Sequence, residues 1–194
     1  MKYYPVNLNI KNKMCIVIGG GKVAERKILS LLDCKADVTV ISPKVTRFIQ
    51  KLSDESKISI LKRYFRKEDL KEAFLVIAAT NSSRINRKII QEANKRKILI
   101  NVVDSPELCD FIMPSLIRRG DLLITISTGG KAPALSKKLR IMLEEIIGEE
   151  YEIILDKLAG FRDELKTKSL SQKKRKEILE KVISQLNSEF EKLI

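Results

Sequence analysis

The sequence contains no histidine and no tryptophan, and aromatic residues account for only 5% of its 194 residues. Histidine is the most common general base and the most common ligand of transition metals, so its absence removes both at once. Any acid–base chemistry must therefore be carried out by Asp, Glu, Lys, Tyr or Cys. The few aromatic residues do not alternate with basic ones, as they do in surfaces that stack on single-stranded nucleic acid.

Cysteine is scarce as well, and the three cysteines lie far apart without C-x-x-C spacing. Cys15 falls in an apolar run, and Cys34 falls near the end of an apolar-patterned helix, where buried free thiols are common. The third, Cys109, has no cysteine near it in sequence. We therefore expect neither a disulfide nor a zinc site, and no bound metal.

Long apolar stretches are also missing. No run approaches the roughly 18 residues that a membrane-spanning helix needs, and residues 1–13 lack the apolar core of a signal peptide. A content of 44% hydrophobic and 32% charged residues is typical of a globular protein. We expect a cytoplasmic protein that does not bind membranes.

What the chain has in excess is positive charge. Its 38 Lys and Arg residues outnumber 25 Asp and Glu residues, which gives a formal net charge of +13. Such a charge implies an anionic partner or only a Lys-rich proteome. It raises affinity for nucleic acid without specificity, but a polyanionic small molecule explains it equally well. Because no stretch carries a specific nucleic-acid signal, we expect no nucleic-acid partner.

Residues 14–42 have the pattern of a βαβ unit with a glycine-rich turn. An apolar run ends at Gly19, a helical periodicity follows, and a second apolar run closes the unit. Gly19, Gly21 and Ala24 fit the G-x-G-x-x-G/A fingerprint in the strand–turn–helix context that dinucleotide sites require. A pyrophosphate would then bind at the positive N-terminus of the helix. The alternative is a glycine-rich turn that serves only helix–strand packing.

Strands and helices continue to alternate up to about residue 113, which predicts an α/β Rossmann domain over residues 1–113 with a parallel doubly wound sheet. Strands are predicted at residues 14–18, 38–41, 58–61, 75–79 and 98–103, and helical segments at residues 23–32, 45–52, 66–73 and 85–93.

The pattern changes after this domain. Residues 111–117 and 122–127 are extended runs joined by a turn at residues 118–121, which predicts a β-hairpin, and an apolar-striped helix begins near Pro133. A two-stranded hairpin with one helix cannot bury much apolar surface alone. We therefore expect a homodimer whose dimerisation region is residues 114–148.

Residues 149–194 are predicted to form a small α-helical C-terminal domain. Two apolar stripes at helical spacing flank a basic connection at residues 166–176, in which Ser169 and Ser171 are candidate N-caps. We interpret the stripes as helix-pair packing. They consist of Tyr151, Ile154, Leu155, Leu158, Phe161 and Leu165, and of Ile178, Val182, Leu186, Phe190 and Leu193.

Asp104 is the leading candidate for a general base. It directly follows a predicted central strand, at the edge where ligands meet open α/β sheets. A carboxylate there could accept a proton, especially if partial burial raised its pKa. The alternative is an aspartate that only caps a loop.

A second candidate is the loop of Ser127, Thr128, Gly129, Gly130 and Lys131, directly before a predicted helix. Its hydroxyls, backbone N–H groups and ammonium suit a phosphate or a carboxylate. The alternative is a hairpin exit that needs flexible glycines.

Four segments in consistent order, IGGGKVAERKI, IAATN, NVVDSPELCDFIMPS and ISTGGKAPALSKKLR, resemble the precorrin-2 dehydrogenases, which occur alone or as the N-terminal module of sirohaem synthase. The resemblance covers roughly residues 2–145. It implies a homodimer, a Rossmann domain and NAD-dependent oxidation of precorrin-2 to sirohydrochlorin. It also leaves open whether the chain, like some members, inserts ferrous iron into sirohydrochlorin.

The resemblance also assigns the functional aspartate to Asp104. It assigns cofactor contacts to Lys22, Val23, Pro43 and Lys44 and, more loosely, to Thr80 and Asn81. The acidic residue that usually holds the ribose, about twenty positions after the glycines, is absent, and Ser42 and Pro43 stand there instead. Ser42 could bind a ribose hydroxyl and Lys44 could tolerate a 2′-phosphate, so the expectation of NAD depends on the resemblance.

Two other functions stay open. A non-catalytic NAD-sensing module would bind the dinucleotide but would need neither Asp104 nor the loop at residues 127–131. A basic protein that binds nucleic acid through residues 166–176 would bind in a salt-dependent way without any dinucleotide.

Overall fold

The protein was analysed as a computed structural model that describes residues 2–190, with side chains described as far as residue 184. The chain divides into two compact units, the first ending at Met113 and the second beginning at Pro114. The predicted division into three domains at residues 113 and 148 stays a prediction. Within the described residues, no helix combines the length and apolar character that a membrane span requires.

The first unit is built on a five-stranded parallel sheet in the order β3-β2-β1-β4-β5, as the alternating pattern predicted. The strands are β1 Met14–Ile18, β2 Asp37–Ile41, β3 Ser59–Leu61, β4 Leu75–Ala78 and β5 Leu99–Val102. The helices are α1 Lys22–Asp33, α2 Arg47–Asp54 and α3 Ser83–Arg96, with short 3-10 helices at Lys67–Leu70 and Pro106–Leu108.

Alternate residues of β1, β2, β4 and β5 enter two separate apolar layers. On one face, side chains such as Cys15 and Val17 pack with Ile28 of α1 and with α2. On the other face, residues such as Ile16 pack with Ile89 of α3. Both faces are covered, which explains why the strands read as continuous apolar runs rather than as alternating ones.

The strands end at one level of the sheet. Ile18, the last residue of β1, is paired with Ile41 on β2 and with Ala78 on β4, and Ala78 is paired with Val102 on β5. The chain leaves β1 towards β2 on one side, while β4 lies on the other. This is the switch point at which open α/β sheets form a ligand crevice, and the segments after all four strands meet there.

The expectation that Cys34 is buried was wrong, because this side chain is exposed. Cys34 is the residue directly after α1, whereas the buried face of that helix is formed by residues such as Ile28 and Leu31. Cys15 is buried as expected. All three cysteines are free.

The second unit contains an antiparallel hairpin, β6 Ser115–Arg119 and β7 Leu122–Ile126, and three helices, α4 Pro133–Ile146, α5 Glu150–Thr167 and α6 Gln172–Phe190. The hairpin bounds differ from those predicted. The first strand begins after Pro114, which has no N–H to donate to the ladder. It continues to Arg119, which pairs with Leu122, so the turn is only Gly120–Asp121.

The two long C-terminal helices agree with the predicted helical region. Ser171 is the N-cap of α6, because its Oγ accepts a hydrogen bond from the Lys174 N–H at 3.3 Å. Of the second predicted apolar stripe, the side chains of Leu186, Phe190 and Leu193 lie outside the part of the chain that is described.

Candidate functional site

The three consecutive glycines after β1 meet different surroundings. Gly19 has a φ of +128°, and a Cβ placed there would lie 2.2 Å from the carbonyl oxygen of Ala79. A Cβ on Gly20 would lie 2.2 Å from the carbonyl oxygen of Lys44. A Cβ on Gly21 would have no atom within 4 Å. The first two glycines are therefore required by the protein's own backbone, whereas the space at Gly21 is open.

Gly21 is also the N-cap of α1, and it has no side chain to cap the helix. The first N–H groups of a helix have no partner within the helix, so those of Lys22 and Val23 are free to bind an anion. Ala24, in the first turn of the helix, is fully buried and packs into the core. The Lys22 ammonium is exposed and forms an ion pair with Glu25 at 3.1 Å.

Glu25 is a buried carboxylate that the sequence pattern did not single out. A hydrogen bond with the side chain of Thr46, and a weaker effect of Lys22, lowers the pKa of Glu25. Thr46 is the N-cap of α2, where its Oγ1 accepts a hydrogen bond from the Ile49 N–H at 3.3 Å. Glu25 thus ties the start of α1 to the start of α2.

The segment after β2 is hydrogen-bonded to the glycine turn. The Ser42 hydroxyl is buried and donates to the carbonyl oxygen of Lys44 at 2.6 Å, and the Thr46 N–H donates to the carbonyl oxygen of Gly20 at 3.0 Å. Because the Ser42 proton is already donated, this hydroxyl is left to act as an acceptor. Pro43 and Lys44 are exposed.

The segment after β4 is held by a network around Thr80. The Thr80 hydroxyl donates to Asn86 Oδ1 at 2.6 Å, and Asn86 Nδ2 donates to the Thr80 carbonyl oxygen at 3.2 Å. Ser82 caps α3 by accepting a hydrogen bond from the Ile85 N–H at 3.4 Å. Asn81 lies between these anchored residues and is exposed.

These segments surround a cavity of about 430 Å³. Six of the predicted cofactor residues line it: Gly19, Gly21, Ser42, Pro43, Thr80 and Asn81. Lys22, Val23 and Lys44 were predicted as well but do not line it. Tyr64, Phe65, Ser82 and Ile85 line it and were missed. The position of Tyr64 and Phe65 shortly after β3, at the same edge of the sheet, was the signal that could have identified them.

Asp104 lies where it was expected, shortly after β5 at the same edge of the sheet. It has a left-handed φ of +60°, a conformation that Asp and Asn tolerate better than most residues. Its two neighbours are held by backbone hydrogen bonds, from the Val103 N–H to the Ala78 carbonyl and from the Ser105 N–H to the Val102 carbonyl. The partial burial considered for Asp104 is not found, since its side chain is exposed.

The loop that carries Asp104 is fastened to β5 by two side chains that the sequence pattern did not reveal. The buried Asn101 donates from Nδ2 to the Phe111 carbonyl oxygen at 3.0 Å. The Cys109 sulfur accepts a hydrogen bond from the Val102 N–H at 3.1 Å and lies 3.2 Å from the Ser105 carbonyl oxygen. Burial raises the pKa of the Cys109 thiol, so the neutral form that holds the loop is favoured.

The loop Ser127–Lys131 belongs to the second unit and is described by itself. The Ser127 hydroxyl accepts a hydrogen bond from the Gly129 N–H, and the Thr128 hydroxyl accepts one from the Ala132 N–H, both at 3.1 Å. Helix α4 begins directly afterwards without a side-chain cap, and Lys131 is exposed. The first helical residue, Pro133, has no N–H, and the Leu135 N–H donates to the Ala132 carbonyl oxygen at 3.0 Å. This helix N-terminus therefore offers few donors beside the exposed ammonium of Lys131.

Comparisons with known proteins identify both parts of the chain. Residues 6–115 match the family described as putative NAD(P)-binding, and residues 119–146 match the central region of sirohaem biosynthesis proteins.

Among curated relatives, a sirohaem synthase of Ruthia magnifica subsp. Calyptogena magnifica is 37% identical over 189 residues, which are 97% of this chain and 40% of the relative. One of Nitrosomonas europaea is 39% identical over 184 residues, which are 94% of this chain and 39% of the relative. The chain thus spans about two fifths of the length of these relatives.

Among solved structures, that of SirC, a precorrin-2 dehydrogenase, matches with a TM-score of 0.79 at 26% identity. The match covers 98% of this chain and 100% of SirC. The NAD(P)-binding match extends over more than half of the chain and contains the glycine turn, the cavity and Asp104. The predicted family is therefore confirmed: the chain belongs to the NAD(P)-binding family that includes the precorrin-2 dehydrogenases and the N-terminal modules of sirohaem synthases.

Proposed function

We propose that this chain oxidises precorrin-2 to sirohydrochlorin with NAD, in the biosynthesis of sirohaem. One observation carries the proposal: an uncapped helix N-terminus with open space at Gly21 lies at the same edge of the sheet as Asp104. The likeness to SirC over nearly the whole of both chains supports the choice of substrate.

The residues present fit a dinucleotide. The free N–H groups at the start of α1 would hold the pyrophosphate, because the backbone at Gly21 offers close approach without a side chain. Ser42 and Pro43 would contact the ribose, where Ser42 offers an acceptor in place of the usual carboxylate. Thr80 and Asn81 would line the opposite wall of the cavity. When bound, NAD supplies the acceptor for the hydride that leaves precorrin-2.

Asp104 is the proposed general base, which accepts the proton that the substrate loses together with the hydride. The left-handed conformation at Asp104 and the fastening of its loop by Asn101 and Cys109 support this role. A carboxylate held by rigid backbone keeps its position relative to a bound substrate, which is what proximity catalysis requires.

We further propose that Ser127, Thr128, Gly129, Gly130 and Lys131 bind carboxylates of the substrate. The exposed ammonium of Lys131, shortly before α4, supports this assignment. The net charge of +13 suits a substrate that carries many carboxylates.

A homodimer through residues 114–148 is the proposed assembly. Large apolar side chains of the hairpin and of α4 are exposed in the single chain, namely Leu116, Leu123, Leu135, Leu139, Met142 and Ile146. Contiguous exposed apolar surface of this kind marks protein interfaces. The proposed location is the cytoplasm, in keeping with three free cysteines.

The test is an anaerobic incubation of the purified chain with precorrin-2 and NAD, followed by absorbance. We expect sirohydrochlorin to form only when NAD is present. Binding of NADH without any oxidation would favour the NAD-sensing module instead. Subsequent addition of ferrous iron tests the insertion of iron, which stays a prediction from the resemblance.

A further inference from the structure

Lys27 is a half-buried lysine on α1 that neither the fingerprint nor the cavity accounts for. Its Nζ donates a hydrogen bond to the Met113 sulfur at 3.0 Å, and a thioether is only a weak acceptor. Among the side chains that the structure describes, Lys27 forms no ion pair. An ammonium with three donors is thus partly shielded from water, and the acceptor that the described residues give it is a weak one.

The nearby groups that favour the charged form of Lys27 lie in the Asp104 loop. Burial lowers the pKa of Lys27, and the neighbouring Arg26 acts in the same direction, whereas Cys109 and Asp104 oppose them. Asp104 is therefore close enough to influence the ammonium through space, although the two groups are not in ion-pair contact.

Lys27 belongs with Asp104 rather than with the proposed cofactor cavity. The cavity is lined by the turns after β1, β2 and β4 and by residues near β3 and α3, and it includes neither Lys27 nor Asp104. The contacts of Lys27 lie instead in the segment after β5, at Met113. An anion bound by Lys27 would therefore be a group of the substrate and not the pyrophosphate.

We infer that Lys27 binds a carboxylate of the tetrapyrrole substrate and thereby positions the reacting carbon against Asp104; this inference rests on the proposed function. The ammonium supplies charge-assisted donors, which are the stronger class of hydrogen bonds. The substrate group takes a place that no carboxylate among the described residues fills. Lys27 is thus a substrate-binding residue, and Asp104 remains the base.

The test compares Lys27→Met, which keeps the length of the side chain but removes its charge, with Lys27→Arg, which keeps the charge. Arg26→Met is the matched control, because it removes a positive charge from the adjacent, exposed position of the same helix. Steady-state kinetics with precorrin-2 and NAD are combined with spectroscopic titration of sirohydrochlorin, which needs no turnover.

We expect Lys27→Met to raise the KM for precorrin-2 and the Kd for sirohydrochlorin about tenfold or more, the usual value of a hydrogen bond to a charged group. Its KM for NAD should be unchanged, its kcat should fall much less than its affinity, and its melting temperature should not drop. Lys27→Arg should restore most of the affinity, and Arg26→Met should stay within about twofold, as expected for an exposed charge.

Unchanged affinity of Lys27→Met for sirohydrochlorin would overturn the inference. So would a fall in kcat with normal substrate affinity, because Lys27 would then act through Asp104. If the wild-type chain binds sirohydrochlorin but does not oxidise precorrin-2, the proposed function fails, while the titration of the variant still decides the role of Lys27.

Discussion

The glycine-rich loops before α1 and α4, at residues 19–21 and 127–131, need their glycines for different reasons. Gly19 and Gly20 are required because other backbone lies where a Cβ would be. Gly129 and Gly130 have φ values of +63° and +84°, but nothing lies within 4 Å of a Cβ at either position. The first loop is fixed by the sheet around it, and the second by its own backbone conformation.

Both loops nevertheless end in a helix without a side-chain cap. We propose an anion site at each loop, one on a crowded turn and one on an open turn. The crowded turn offers a single open position, Gly21, and so defines where a ligand approaches. The open loop leaves its ligand less constrained, which suits a substrate that presents several carboxylates.

The largest effect on stability is expected for Gly19→Ala, in the first of the two loops. We expect loss of the folded state or destabilisation by about 3 kcal/mol or more, because a Cβ would overlap the Ala79 carbonyl and the backbone conformation is essentially restricted to glycine. Urea unfolding measures the effect. Gly21→Ala is the matched control and should change stability by less than about 1 kcal/mol. Equal stability of the two variants would contradict the claim that surrounding backbone requires glycine at position 19 but not at position 21.

Asp104→Asn tests whether the rate of oxidation depends on Asp104 while NAD binding does not. Asn tolerates the left-handed backbone, so the fold and NAD binding should be kept, while the rate of oxidation should fall about 10² to 10⁴-fold through loss of the base. Asp110→Asn is the control, since this residue of the same loop accepts a hydrogen bond from the Ile100 N–H through Oδ2, as an amide oxygen also can. A loss of less than about tenfold in Asp104→Asn would show that Asp104 is not the base.

Gly21→Asp tests whether the open position of the first loop faces the cofactor. A carboxylate there would occupy the space of the pyrophosphate and repel it, so we expect NADH binding to weaken roughly a hundredfold or more, in keeping with the cost of juxtaposed like charges. Fluorescence titration of NADH is the measurement. Gly21→Asn has nearly the same size without the charge and should retain more affinity. Wild-type affinity in a folded Gly21→Asp variant would remove the cofactor from this turn.

The smallest effect is expected for Gly129→Ala. The left-handed φ should cost about 1 kcal/mol for a residue with a Cβ, but no clash adds to it. Gly160→Ala, within α5 and also without a neighbour to its Cβ, should instead stabilise by about 0.5–1 kcal/mol. Thermal unfolding of the two variants should move in opposite directions. A large loss of stability in Gly129→Ala would indicate packing around this loop.

Much of the first unit could be predicted from local signals. Four buried strands and the more exposed edge strand β3 appear as short apolar runs, and the helices between them appear as periodic apolar residues. The parallel sheet therefore followed from alternation alone. The hairpin was predicted less well, because Arg118 and Arg119 look like turn residues although both lie in a strand. Only the pairing partner across the sheet determines where such a strand ends.

In the candidate site, too, some residues could be predicted from local sequence signals and others could not. Gly19, Gly21 and Asp104 are visible in the sequence because each has a fixed position relative to a strand end. The proposed role of Lys27 and the hydrogen bonds of Cys109 are not visible in the sequence. Both depend on contacts with residues outside the local pattern, such as Met113 for Lys27. For Cys34 the helical pattern was misleading, since the residue that follows a helix need not share its buried face.

The most direct test of the account is the stoichiometry of one anaerobic reaction, in which precorrin-2 and NAD are incubated with the wild-type chain. Absorbance follows sirohydrochlorin and NADH together. The account predicts that the two products appear at equal rates and in equal amounts, and that neither appears with Gly21→Asp. Sirohydrochlorin formed without NADH, or NADH binding with no oxidation of precorrin-2, would contradict it.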